Sequence, residues 1–142
     1  MAMMPKRVKY RKWHRLRVQR GIATRGNRVV FGDYGLMAIE AGRISAQQIE
    51  AGRITAARFL GNLGRLFIRM FPHMPVTKKP QETHMGGGKG DPAFYVACVK
   101  PGTVMYELGG LTEDLAKQCF NLIAHKMCVK SKFVIREGLK RE

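Results

Sequence analysis

Acidic side chains are what this chain has least of. Ten Asp and Glu stand against 26 Lys and Arg in 142 residues, a net charge of +16. So few acids leave little material for paired-carboxylate catalysis, and Glu113 and Asp114 are already suited to a helix N-terminus. His14, His73, His84 and His125 stand in no spacing with Ser, Cys or Asp that marks a catalytic triad. Cys98, Cys119 and Cys128 are odd in number and lack CxxC spacing, which argues against a disulfide framework and against a zinc finger or ribbon. No apolar run approaches the ~20 residues of a membrane span. No apolar stretch follows the basic start, so no signal peptide is expected, and Tyr10, Trp13 and Leu16 do not form the broad face of a transit peptide. A chain without enzymatic activity, cofactor, metal site or membrane partner is the expectation.

The positive charge is uneven. Residues 1–28 hold Lys6, Arg7, Lys9, Arg11, Lys12, Arg15, Arg17, Arg20, Arg25 and Arg28 and no acid. The remainder holds 26 − 10 = 16 basic residues against 10 acidic ones, a net of only +6. This divides the chain into a basic arm, 1–28, and one domain, 29–142. Tyr10, Trp13 and His14 interleave with the cations of the arm. Lys and Arg neutralise phosphates while rings and guanidinium planes stack on unpaired bases, so the pattern points to RNA.

A second segment, 72–92 (PHMPVTKKPQETHMGGGKGDP), carries four prolines and four glycines. Helices and ladders tolerate few such breakers, so a long working loop is expected. Lys78, Lys79, His84, Met85, Gly86, Gly87, Gly88, Lys89 and Gly90 form its polyanion-seeking part. GGGKG is not a P-loop. That motif needs Gly at position 83, where Thr83 stands, and Ser or Thr after the lysine, where Gly90 stands.

Around these segments the pattern predicts an α+β fold, two helices on a mainly antiparallel sheet, in the order β-α-β-loop-β-β-α-β. Val29–Tyr34 reads as the first strand. Ser45 and Gln48 form a capping box opening a helix whose stripe is Ile49, Ala56, Leu60 and Leu63, stapled by Ile44. Leu66–Phe71, Ala93–Val99, Thr103–Leu108 and Lys132–Arg136 read as strands. The middle pair is expected to form a hairpin across a type II turn at Pro101-Gly102. Thr112 caps a second helix whose stripe is Leu115, Cys119, Leu122, Ile123 and Met127.

The words PKRVKYRK (5–12), RGNRVVFGDYGLMAIE (25–40), GRISAQQIEAGR (42–53), LFIRMFPHMPVTKKPQET (66–83), MGGGKG (85–90) and YVACVKPGTVMYELGG (95–110) resemble the L-sixteen family of bacterial-type large-subunit ribosomal proteins. The resemblance covers essentially the whole chain. It implies an α/β-hammerhead type of fold and a structural place in the large subunit, in a bacterial cytoplasm or an organelle matrix. The implied partners are large-subunit rRNA, neighbouring ribosomal proteins and A-site tRNA, with P-site tRNA as the alternative. It assigns Lys6, Arg7, Lys9, Arg11 and Lys12 to rRNA, and Lys78, Lys79, Met85, Gly86, Gly88 and Lys89 to the neighbourhood of tRNA and the peptidyl-transferase RNA. His84 departs from the pattern, because the family usually carries Arg there, and an imidazole is not a fixed cation. A free-standing RNA chaperone or regulator would use the same chemistry without a ribosome.

Overall fold

The computed structural model describes residues 3–15 and 20–139. Nine elements follow in the order β1 (Tyr34–Ala38), β2 (Gly42–Ser45), α1 (Ala46–Leu60), β3 (Arg65–Ile68), β4 (Met74–Lys78), β5 (Asp91–Val99), β6 (Val104–Gly109), α2 (Glu113–Ala124) and β7 (Ser131–Ile135). The α+β class is as expected. The strands divide into two antiparallel sheets, β3-β6-β1-β7 and β2-β5-β4. α1 lies against β2, β3 and β5, α2 lies against β1 and β7, and the helices pack on each other.

α1 starts as the capping box predicts. The Ser45 side chain accepts from the Gln48 N–H, and the Gln48 side chain accepts from the Ser45 N–H. Ile44 and Ile49, the staple pair, are both fully buried. The helix buries Ala46, Ile49, Gly52, Ala56 and Leu60 and stops at Gly61, whose φ of 56° favours glycine. Gly52 has a steric reason to lack a side chain. A Cβ there would lie 2.5 Å from the Tyr106 hydroxyl, which donates to the Ile49 carbonyl at 2.9 Å. In α2 the buried positions are Ala116, Cys119, Phe120 and Ile123; burial pushes the Cys119 thiol up to about 11. Each fully buried side chain of Leu, Ile or Phe size contributes roughly 1.5–3 kcal/mol.

Several expectations are corrected. Val29–Tyr34 is not a strand; the strand starts at Tyr34, and the three N–H groups of Val30, Phe31 and Gly32 turn to a carboxylate instead of a ladder. Leu66–Phe71 is strand only as far as Ile68, although the Arg69 N–H still donates to Met105 O of β6 at 2.9 Å, and Phe71 is exposed. The segment 72–92 is not one loop. Met74–Lys78 forms β4, which pairs with the start of β5 and leaves residues 79–90 as the loop. Pro75 fits because β4 is an edge strand, and the register shifts between Val76 and Thr77.

Pro101-Gly102 forms its turn, with Gly102 at φ 91° and the Thr103 N–H donating to the Lys100 carbonyl at 3.1 Å. The flanking strands are nevertheless no hairpin, since β5 and β6 belong to different sheets. The Gly102 N–H donates to Ala38 O, and the Ala38 N–H to Thr103 O, so the turn is tied to the end of β1. Leu63 and Leu122 are exposed, outside their expected stripes, and the Thr112 side chain makes no capping bond.

Candidate nucleic-acid interface

The arm has no regular secondary structure over its described residues. Lys6, Arg7, Lys9, Tyr10, Arg11, Lys12, Trp13, His14 and Arg15 are all exposed, as are Arg20, Arg25 and Arg28; Arg17 lies outside the described residues. Lys9 sits over the Tyr10 ring at 5.6 Å. Near its end the arm joins the body. Ala23 is buried and its N–H donates to Pro101 O, while the Val104 N–H donates to Gly26 O.

The loop is open. Lys78, Lys79, His84, Met85, Gly86, Gly87, Gly88 and Lys89 are exposed and Gly90 is half-buried. Gly86, Gly87 and Gly88 have φ of 93°, 73° and 87°, and nothing lies within 4 Å of where a Cβ would stand. These glycines serve conformation, not close packing. The Lys79 ammonium donates to Gly86 O at 2.7 Å and curls the loop on itself.

The two basic segments meet. Lys12 Nζ donates to Lys89 O at 3.0 Å and lies 3.6 Å from the Asp91 carboxylate. Lys89 Nζ in turn donates to Trp13 O. The Trp13 ring stands 6.0 Å from the His73 ring, tilted by 58°. A cavity of about 390 Å³ opens between arm, loop and sheet edge, lined by Trp13, His14, Arg15, Arg43, Lys89 and residues 74–77 of β4. It combines one large ring with several cations, a lining suited to a nucleotide.

Sequence reasoning missed the anchor beneath the arm's root. Glu107 on β6 is the buried charged residue among the described residues. Its carboxylate accepts from Arg69 Nη1 at 2.5 Å, from Phe31 N at 2.6 Å, from Gly32 N at 2.8 Å and from Val30 N at 3.2 Å. Arg69 Nη1 also donates to Arg28 O at 2.8 Å. Burial opposes ionisation here. The guanidinium and the three N–H groups outweigh it together and hold the carboxyl below its ordinary range. The scarcity of acids was the available signal, since an acid inside an apolar strand of a basic chain needs a partner.

No helix among the described residues is long and apolar enough to cross a membrane. The family model described as ribosomal protein L16p/L10e matches residues 5–134. The large ribosomal subunit protein uL16 of Rhodopirellula baltica is 57% identical over 138 residues, which span 97% of this chain and 99% of that protein. A match of this extent and identity leaves one conclusion: the chain belongs to the ribosomal protein L16p/L10e family.

Proposed function

We propose that the protein is a non-enzymatic structural constituent of the large ribosomal subunit that holds two basic segments against large-subunit rRNA. The arm, residues 1–28, supplies Lys6, Arg7, Lys9, Arg11, Lys12, Arg15, Arg17, Arg20, Arg25 and Arg28 to phosphates, and Tyr10, Trp13 and His14 to unpaired bases. The domain, residues 29–142, keeps the arm in register with the loop. Lys78, Lys79, His84, Met85, Gly86, Gly87, Gly88, Lys89 and Gly90 face A-site tRNA near the peptidyl-transferase RNA.

The observation that carries this reading is the reciprocal contact of Lys12 and Lys89, which joins the acid-free arm to the glycine loop on one exposed side. The relative's name and the family's description support the assignment to the ribosome.

The mechanism is electrostatic and geometric. Binding to large-subunit rRNA, titrated between 50 and 200 mM salt, should weaken by ~10³–10⁵ for six to ten phosphate contacts. Binding that ignores salt would refute the account. Retention on the large subunit through a high-salt wash separates it from a free-standing RNA chaperone.

A further inference from the structure

A second aromatic site lies away from arm tip and loop. Phe31 is 62% exposed although it sits on the folded body. One side of its ring is supported by Phe67 of β3, with centroids 5.8 Å apart and planes at 27°. The Arg69 guanidinium lies 5.4 Å from its centroid. Its backbone is fixed by Glu107, and the neighbouring Gly32 lies so close to β6 that a Cβ there would meet Leu108 O at 2.5 Å. An exposed ring is thus held rigid by a buried carboxylate. Ordering it on binding costs little, because the backbone and one ring face are already set.

Exposed arginines stand on the adjoining segments. Arg28, three residues before it, is exposed and its guanidinium lies 3.5 Å from the carboxylate of the exposed Glu137. Arg136 is exposed, and its N–H donates to Asp33 O, two residues after Phe31. A ring held by Phe67 and Arg69, 62% exposed, with arginines on the adjoining segments, matches an unpaired base with its phosphates.

We infer that Phe31, backed by Phe67 and Arg69, is a stacking platform for one unpaired rRNA base whose flanking phosphates meet Arg28 and Arg136. The inference rests on the proposed rRNA binding and extends it to a site on the domain itself.

The test uses the full chain and protein-free large-subunit rRNA. Phe31→Leu keeps an apolar side chain and removes the aromatic face. It should weaken binding by about 5- to 150-fold with an unchanged salt slope, since no phosphate contact is lost. Phe31→Tyr should restore it. One unpaired nucleotide, protected from chemical modification by the parent protein, should become reactive with Phe31→Leu. Competition by a fully paired RNA duplex should not distinguish parent from variant. Equal affinity of Phe31→Leu and parent overturns the platform while leaving the salt-dependent arm and loop intact. A loss seen only when another ribosomal protein is present makes the occupant a protein and also overturns it. Salt-insensitive binding by the parent would instead refute the underlying rRNA reading. The ring is exposed, so thermal unfolding of both variants should match the parent.

Discussion

The root of the arm and the tip of the loop both look irregular, yet opposite physics shapes them. Residues 28–33 follow an irregular path because a buried carboxylate takes three consecutive N–H groups and a guanidinium binds the Arg28 carbonyl. Residues 86–88 follow one because glycine permits it and nothing packs where their Cβ atoms would stand, the Lys79 bond to Gly86 O being an exposed one. One region is irregular by over-determination, the other by freedom. Absence of helix and strand therefore says nothing about rigidity, and a rigid segment can present a side chain as firmly as a strand does.

The sharpest way to break this contrast is to remove the carboxylate. Glu107→Gln strands Arg69 in a mostly buried site and should cost about 3–5 kcal/mol in urea unfolding. The same experiment run against pH has a defined sign. The folded-state carboxyl ionises below its ordinary range, so its contribution is complete above the unfolded value of about 4.3 and disappears as pH falls through the lower folded value. The parent should lose stability on acidification over that window, and Glu107→Gln should lack that part of the loss. Identical acid limbs in the two proteins would show that Glu107 is not the titrating anchor.

A matched pair of glycine substitutions gives the next largest effect. Gly32→Ala drives a Cβ into the Leu108 backbone and should cost roughly 1–3 kcal/mol. Gly87→Ala meets open space and carries only the left-handed penalty, about 1 kcal/mol or less once the loop relaxes. Equal unfolding midpoints for the two would erase the distinction between packed and free irregularity. The smallest effect on stability belongs to Lys12→Ala and Lys89→Ala, each within about 0.5 kcal/mol because both ammonium groups are exposed. Their signature lies in RNA binding, where each should lower the salt slope by about one.

What could be read from the sequence tracks the distance over which the deciding contact acts. The Ser45–Gln48 capping box is complete within four residues, and it was legible. Pro101-Gly102 specified its own turn, but the bonds that carry it into a second sheet come from Ala38, far away in the chain. Val29–Tyr34 has strand-like side chains; the partner that overrides them, Glu107, is more than seventy residues on. Pro75 reads as a breaker until the sheet order shows it on an edge. At the interface, charge made the arm and the loop visible one by one. Their reciprocal lysine contacts, 76 and 77 residues apart, had no local signal.

The loop's two ends are tied to each other before they are tied to anything else. It leaves through β4 and returns through β5, and from Lys78–Asp91 to Met74–Val96 these two strands bond to each other, while β2 joins β5 only from Val96 to Val99. Beyond β5 the chain turns straight into β6, an interior strand of the other sheet. A load on the tip can be relieved on the β4 side by unzipping one short ladder. On the β5 side the same load meets the β2 ladder only at Val96, and beyond it a strand clamped between β3 and β1. The loop is thus a two-legged mast whose legs share one ladder at the foot, with further support beginning only at Val96 on the returning leg.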